Sequence, residues 1–171
     1  MRRNTCIKLI LFSLVAIGAV VLDQISKLIC VRNLGLGESV SVIPKVLDFT
    51  YIRNEGAAFG SLSNARWVFM IASVVMIIAI ICYVIYDKSL TWPMVISLAM
   101  IAGGGIGNMI DRIAYGYVID FIDVKFLSFW VWVFNVADSF VCVGAALLLV
   151  LFLAYEIKNK KEKKNDVNTE L

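Results

Sequence analysis

The sequence predicts an all-α membrane protein with four transmembrane helices and a small extracytoplasmic β-sheet or loop region between the first and second helices. Of its 171 residues, 61% are hydrophobic and 17% are charged, which is too apolar a composition for an ordinary soluble domain. Four apolar runs hold about twenty residues each, enough to cross about 30 Å of hydrocarbon at about 1.5 Å per residue. The one long interruption, residues 32–66, contains short segments typical of strands.

The four predicted spans cover about residues 7–31, 67–86, 92–112 and 134–155. The first follows Arg2 and Arg3 and resembles the charged and hydrophobic regions of a secretory signal peptide. No convincing small-x-small cleavage site precedes Asp23, and the helical pattern continues beyond it, so we interpret this segment as a retained span. Aromatic residues lie near the predicted ends of the spans, as in the aromatic belts of membrane proteins.

Residues 32–66 differ in character from the runs on either side. Residues 40–42 and 49–52 are rich in strand-forming side chains and are bounded by glycine and proline, which predicts a small sheet outside the membrane. The region then contains Asn54-Glu55-Gly56-Ala57-Ala58-Phe59-Gly60, whose small residues allow tight turns and close backbone approach. On composition alone, a flexible connection to the next helix is the default interpretation of this run.

Lysine and arginine are unevenly distributed between the two ends of the predicted spans: nine lie at the end with the termini and six at the other. The positive-inside rule therefore places both termini in the cytoplasm. We predict one transmembrane domain over residues 1–157 and a cytoplasmic lysine-rich tail over residues 158–171. The tail is interpreted as a solvated topology signal with some attraction to anionic lipid, and not as a binding module.

Composition also limits the chemistry. The chain has no histidine, which excludes Ser-His-Asp and Cys-His nucleophile systems and histidine-ligated zinc, and leaves carboxylates as the acid/base groups. The four cysteines lie in or beside four different apolar runs without CxxC spacing, and we interpret them as small hydrophobic residues. No stripe of arginines with interleaved aromatics indicates nucleic acid, so no nucleic-acid partner is expected.

The strongest functional signal lies at and after the end of the third predicted span. Residues 103–112 and 116–121 bring an asparagine, two aspartates and an arginine into or beside an apolar run, where charged side chains are costly. The predicted orientation brings the outer end of the first span and the start of the fourth to the same depth. Polar residues of these segments are therefore predicted to converge on the outer membrane boundary: Asp23, Lys27, Asn108, Asp111, Arg112, Asp120, Asn135 and Asp138.

Residue spacing adds detail to this convergence. Asp23 and Lys27 are four residues apart, so they share one helix face and can form an ion pair. Such a pair can simply end a span or can take part in the site, and the sequence leaves both interpretations open. Gly104, Gly107 and Asp111 share one face of the third helix, and for the glycines we favour close helix packing over ligand contact.

The aspartates indicate acid/base chemistry. Burying a carboxylate is costly unless it is paired or protonated, so collecting Asp111, Asp120 and Asp138 implies a use for them. We assign Asp111 to structure because Arg112 is beside it. Two carboxylates held together share a proton and titrate as a unit. One can then accept a proton from water while the other protonates a carbonyl or leaving amine, as in aspartic peptidases.

Other functions fit parts of the same pattern. A four-span proton- or cation-coupled transporter would use these carboxylates, although the second span is apolar throughout and no acid marks the inner half of a helix. A hard-cation site could be built from Asp111, Asp120, Asp123 and Asp138. A non-enzymatic lipid-binding or assembly protein would leave the outer acids without a role.

Five motifs, in order along the chain, resemble those of one family. They are Asp23-Gln24 with Lys27, Asn54-x-Gly56-Ala57-Ala58-Phe59-Gly60, Gly104-Gly105-x-Gly107-Asn108-x-x-Asp111-Arg112, Val118-x-Asp120-Phe121 and Phe134-Asn135-x-Ala137-Asp138. Together they resemble the bacterial lipoprotein signal peptidases, also called type II signal peptidases. The resemblance runs from the first span to the fourth and departs at no motif position.

The resemblance implies an intramembrane aspartic endopeptidase of the bacterial cell membrane, with its site near the outer leaflet. Such an enzyme cuts a prolipoprotein just before the cysteine that carries diacylglycerol. The expected partners are lipid-modified prolipoproteins and membrane lipid, and the chain is expected to act as a monomer. No metal or organic cofactor is implied.

The resemblance also implies residue roles. Asp120 and Asp138 would be the catalytic pair, called the dyad below, and only motif position distinguishes Asp120 from Asp123. Substrate or dyad positioning would be the role of Asn54, from the outer loop, together with Asn108, Arg112 and Asn135. Structural support of the site would come from Asp23, Lys27, Asp111, Gly104 and Gly107.

Overall fold

The computed structural model describes residues 2–56, 66–126 and 132–169. Within these ranges, four helices are long and apolar enough to cross a membrane. They are α1 (Arg2–Asn33), α2 (Arg66–Tyr86), α3 (Trp92–Ala114) and α4 (Val136–Thr169). Together with a small antiparallel sheet, these helices confirm the predicted fold class.

Helix α3 lies at the centre of the bundle. In its most apolar stretch 61% of the residues are buried, compared with 17% or fewer in the other three helices. A Cβ added at Gly103 would lie 2.7 Å from the backbone oxygen of Ala16 on α1, and one added at Gly104 would overlap the backbone oxygen of Ala137 on α4. These glycines therefore let two neighbouring backbones approach α3 closely, which is the packing that the sequence favoured for them.

The half of the bundle away from the sheet is held by apolar packing. Side chains from α1, α2 and α3 and from the turn between α2 and α3 form one buried cluster, with α4 packing against its edge: Phe12, Ala16, Ile80, Val84, Leu90, Met94, Val95, Leu98, Ala99 and Ala102. Ser97 is also buried there, and its hydroxyl donates to the backbone oxygen of Pro93. This half of the molecule therefore has an apolar core, and the buried charged residues of the described chain lie at the other end.

The sheet contains four antiparallel strands in the order β1-β2-β3-β4. The first two, β1 (Ser39–Ile43) and β2 (Leu47–Asn54), fall in the region where the sequence predicts a sheet. The other two, β3 (Val118–Val124) and β4 (Val133–Phe134), belong to the connection between α3 and α4, where no strand was predicted. The β-branched and aromatic side chains of β3 suit a strand, and pairing with β2 supplies its hydrogen bonds.

The pairing of β2 with β3 determines which side chains share a face. Ile52 pairs with Asp120, Arg53 with Ile119, and Asn54 with Val118, after a bulge in β2. Because side chains alternate along a strand, Asn54 and Asp120 lie on one face of the sheet and Arg53 lies on the other. The expectation that Asn54 lies in the outer loop is therefore wrong, because it is the last residue of β2.

Helix α4 extends further than the sequence suggested. The predicted span ends near residue 155, whereas the helix continues to Thr169 through most of the lysine-rich segment. Lysine and glutamate are good helix formers, so the segment prolongs the helix beyond its apolar part.

Candidate active site

Buried and half-buried polar residues are concentrated where α1, α3 and α4 meet the sheet. The structure brings these side chains together below the sheet, as the span directions predicted: Asp23, Lys27, Asn108, Asp111, Asp120, Asn135 and Asp138. They come from four separate elements, so the fold and not local sequence creates the cluster.

Asp120 lies on β3 and is 1% exposed. Its two carboxylate oxygens accept from the side-chain amides of Asn54, at 2.8 Å, and Asn135, at 2.6 Å. The pKa of Asp120 is raised to about 7. Burial is the largest cause and the nearby charge of Asp138 adds to it, whereas the hydrogen bonds from Asn54 and Asn135 oppose the increase. Asp120 can therefore gain or lose a proton near neutral pH.

Asp138 is placed by the start of α4. Asn135 is the N-cap residue, and its side-chain oxygen accepts from the backbone N–H of Asp138 at 2.9 Å. The Asp138 carboxylate in turn accepts from the backbone N–H of Asn135 at 3.2 Å. This reciprocal capping holds the carboxylate in the first turn of the helix, where the helix dipole favours a negative charge.

Asn135 links the two members of the dyad. Its backbone N–H and side-chain oxygen engage Asp138, while its side-chain nitrogen donates to Asp120. The same nitrogen lies 3.0 Å from the side-chain oxygen of Asn108 and 3.3 Å from the backbone oxygen of Ile119. One fully buried asparagine therefore sets the position of both carboxylates.

Asn108 on α3 connects the dyad to α1. Its side-chain nitrogen donates to Asp138 at 2.7 Å, and its side-chain oxygen accepts from Lys27 at 3.0 Å. A lysine ammonium can only donate, so the amide oxygen of Asn108 has to face Lys27. The amide nitrogen is then directed at Asp138, which fixes the orientation of this side chain.

Lys27 sits between two further carboxylates. Its ammonium nitrogen is 2.8 Å from Asp23 and 2.9 Å from Asp111, so with Asn108 it has an acceptor for each of its three protons. The sequence associated Asp111 with Arg112, but the salt bridge of Asp111 is to Lys27. We call Asp23, Lys27 and Asp111 the lysine triad.

The lysine triad also ties the helices to the sheet. Asp23 accepts from the backbone N–H of Ala137 in the first turn of α4 at 2.9 Å. Asp111 accepts from the backbone N–H of Ile119, next to Asp120 on β3, at 3.1 Å. The triad therefore positions the two chain segments that carry the dyad.

Gln24 is a member of this network that we did not include among the candidate site residues. Its side-chain nitrogen lies 2.9 Å from Asp111, 3.1 Å from Asp23 and 3.2 Å from the backbone oxygen of Gly107. Its place beside Asp23 in the first motif was the signal that could have identified it. A Cβ at Gly107 would lie 2.6 Å from the Asp23 carboxylate, so this glycine leaves room for the triad.

Arg112 lies beside the site without an ion pair to the dyad within the described part of the chain. Its guanidinium is 3.4 Å from the backbone oxygen of Asn108 and 5.4 Å from the ring centroid of Phe69 on α2. Asn108 and Arg112 close one end of a groove of about 280 Å³ between α2, α3 and α4. The rest of this groove is mostly apolar, with Met76, Ile101 and Val141 among its lining residues.

Asp123 is directed elsewhere. Its carboxylate accepts from the hydroxyl of Thr50 at 2.8 Å and pairs with Lys125 at 2.6 Å. Asp123 is thus directed away from the other three aspartates considered for a hard-cation site, and the described ranges contain no group of three acidic or cysteine side chains that could hold a metal ion. Ala57 to Gly60 of the second motif lie outside the described residues.

Comparisons with known proteins bear on this arrangement. The chain matches the family model described as signal peptidase (SPase) II over residues 15–154. It is 39% identical over 153 residues to a lipoprotein signal peptidase of Halalkalibacterium halodurans, covering 90% of this chain and 98% of that protein. It is 36% identical over 141 residues to a lipoprotein signal peptidase of Streptococcus agalactiae, covering 82% of this chain and 90% of that protein.

Solved structures with a similar fold are also known. Two crystal structures of bacterial membrane enzymes, obtained by the in meso method, superpose with TM-scores of 0.78 and 0.77. Both are 34% identical to this chain, and the alignments cover 84% and 83% of it and 87% and 92% of the matched chains.

Proposed function

Because this chain belongs to the signal peptidase II family, a family of membrane proteases, we propose that it is an aspartic endopeptidase that removes signal peptides from prolipoproteins. The proposed cut lies just before the cysteine that carries diacylglycerol. The observation that supports an aspartic mechanism best is the bridging of the two carboxylates by Asn135, whose side chain donates to Asp120 and whose backbone N–H donates to Asp138.

The environments of the two acids suggest how the work is divided. The pKa of Asp120 is about 7, so near neutral pH this acid can hold the proton that the pair shares. Asp138, at the positive end of α4, would accept a proton from the attacking water. Asp120 would donate its proton to the scissile carbonyl, and the proton taken by Asp138 would then pass to the leaving amine.

The location of the dyad suits a substrate that stays anchored in the bilayer. The mostly apolar groove that ends at Asn108 and Arg112 runs from the dyad level into the bundle between α2 and α4. We propose that it accepts part of the hydrophobic signal peptide, and that Arg112 binds a backbone carbonyl near the scissile bond. The termini would be cytoplasmic, the site would lie near the outer leaflet of the bacterial cell membrane, and the enzyme would act as a monomer.

The transporter alternative receives less support. A transporter needs a polar path across the membrane, whereas the described half of the bundle away from the sheet is packed with apolar side chains. Concentration of the buried acids at one end fits surface hydrolysis better than transfer across the bilayer.

Replacement of each dyad acid by asparagine tests the proposal. Asp120→Asn and Asp138→Asn should each lower turnover of a diacylglyceryl-modified precursor peptide by at least about 10³-fold, or about 4 kcal/mol of transition-state stabilisation. Asp123→Asn is the matched control and should keep turnover within about threefold, because its carboxylate bonds to Thr50 and Lys125. A folded Asp120 or Asp138 variant with near wild-type turnover would show that the dyad assignment is wrong.

A further inference from the structure

A second cavity lies beside the lysine triad, at the Arg53 face of the sheet. It has a volume of about 340 Å³ and is lined by residues of α1, β2, α3 and β3 and of the turn between α3 and β3. Arg53 lines this cavity, whereas its neighbour Asn54 contacts Asp120. The two side chains lie on opposite faces because they are adjacent in a strand, so Arg53 is directed away from the dyad.

Tyrosines hold Arg53 in place at this cavity. Its Nε donates to the hydroxyl of the buried Tyr51 at 3.2 Å, and its guanidinium carbon lies 4.9 Å from the ring centroid of Tyr117. Tyr117 is stacked in turn on Tyr115, with ring centroids 5.8 Å apart. A planar guanidinium held by aromatic rings is preorganised to bind a phosphate through two hydrogen bonds.

The floor of the cavity does not attract anions. It is formed by Gln24, Lys27 and Asp111, whose polar groups already bond to one another and to Asp23. The triad contains two carboxylates for one ammonium group, so the floor carries no excess positive charge. Recognition of an anion in this cavity would therefore depend on Arg53.

One wall of the cavity leads into the membrane. Leu28 and Val31 on α1 line the cavity and are 48% and 41% exposed. The same helix face continues with Val21, Ile17 and Leu14, which are 46%, 60% and 65% exposed. This apolar stripe covers about 25 Å of α1 at about 1.5 Å per residue, comparable to an extended acyl chain.

We propose that this cavity binds the phosphodiester headgroup of a membrane phospholipid. Arg53 contacts the phosphate, and an acyl chain lies along the α1 stripe. A phospholipid fits better than a soluble phosphate because the cation and the apolar stripe are continuous. A phospholipid fits better than a neutral lipid because Arg53 forms no salt bridge with the acidic residues that the structure describes, and a phosphate would supply its anionic partner.

The proposal is tested by lipid binding to purified protein in alkyl maltoside micelles. Phosphatidylglycerol should raise the thermal unfolding temperature, and native mass spectrometry should detect the bound lipid. Arg53→Gln should weaken this binding about tenfold, equivalent to about 1.4 kcal/mol, and Arg53→Lys should weaken it less because it keeps the charge but loses the planar fork. Arg32→Gln removes the same charge from the exposed last turn of α1 and should bind as the wild type does.

Two further ligands distinguish the contributions of phosphate and chain. Diacylglycerol with the same acyl chains lacks the phosphate, and glycerol phosphate lacks the chains, so both should bind at least about tenfold more weakly than phosphatidylglycerol. The proposal is overturned if folded Arg53→Gln or Arg53→Lys binds phosphatidylglycerol as tightly as Arg32→Gln, or if either partial ligand binds as tightly as the phospholipid. The assay contains no precursor peptide, so its outcome is independent of the proposed peptidase activity.

Discussion

Two pairs of carboxylates lie side by side in this protein, with Asp138 half-buried and the other three buried, and the pairs differ in the residue that joins them. Asp23 and Asp111 are joined by the ammonium group of Lys27, at 2.8 and 2.9 Å. Asp120 and Asp138 are joined by the neutral residue Asn135, whose side-chain nitrogen donates to the Asp120 carboxylate and whose backbone N–H donates to the Asp138 carboxylate. A cation offsets the repulsion between two carboxylates, whereas a neutral residue supplies hydrogen bonds and leaves the mutual repulsion in place.

The comparison explains how one small region can hold acids with different roles. In the lysine triad the charges are satisfied, and the carboxylates use their remaining lone pairs to hold backbone N–H groups of α4 and β3. In the dyad, burial and the neighbouring charge raise the pKa of Asp120 to about 7. The bridging residue therefore separates a pair suited to structure from a pair suited to proton transfer, and the predictions below test that separation.

Replacing Lys27, the cation of the lysine triad, should have the largest effect on stability. Lys27→Met would leave Asp23 and Asp111 buried without a counter-charge, which we expect to lower the free energy of unfolding by about 3–5 kcal/mol. Chemical or thermal unfolding in detergent measures this change. Lys125→Met is the control, because the Lys125 side chain is 43% exposed and its pair with Asp123 should contribute at most about 1 kcal/mol. Equal losses of unfolding free energy in the two variants would show that the buried lysine triad stabilises the fold no more than an exposed ion pair does.

The second-largest effect should be a pH dependence of stability that comes from Asp120 of the dyad. The pKa of Asp120 is about 7 in the folded chain against 3.8 for an ordinary aspartate, so between these values the folded state binds more protons than the unfolded state. Stability should therefore fall as pH rises from about 4 to about 7, by on the order of 2–4 kcal/mol, and then level off. Asp120→Asn should remove this dependence. Unfolding curves with the same pH slope in Asp120→Asn and the wild type would contradict the assignment.

Asp111→Asn should have a smaller effect, and mainly on stability. The carboxylate accepts from Lys27 and Ile119 through one oxygen and from Gln24 through the other, so an amide nitrogen would face a donor on either side. We expect a loss of about 1–3 kcal/mol in the free energy of unfolding and turnover within about threefold of the wild type. Unchanged unfolding together with abolished turnover would move Asp111 from structure to chemistry.

Much of this arrangement could be predicted from sequence because depth in the membrane follows from span direction. The spans and the strand-prone residues 40–42 and 49–52 carry hydrophobic patterns that report local structure. The partner of Asp111 could not be predicted in this way, because Arg112 is its neighbour in sequence but Lys27, on another helix, is its neighbour in space. The strand that carries Asp120 was missed although its β-branched residues indicated it, since its pairing with β2 depends on the whole fold.

The smallest effect is expected from replacing Asn54, the residue of β2 whose side-chain amide contacts Asp120. Asn54 donates to Asp120 at 2.8 Å, and this bond lowers the pKa of Asp120 against the effect of burial. Asn54→Ala should therefore move the pKa upward and shift the corresponding limb of the pH profile of kcat to higher pH, with about a tenfold loss of turnover. Gln24→Ala removes an amide from the lysine triad instead and should leave that limb in place. Equal shifts in both variants would mean that the two carboxylate pairs titrate as one network, and that the bridging residue does not separate them.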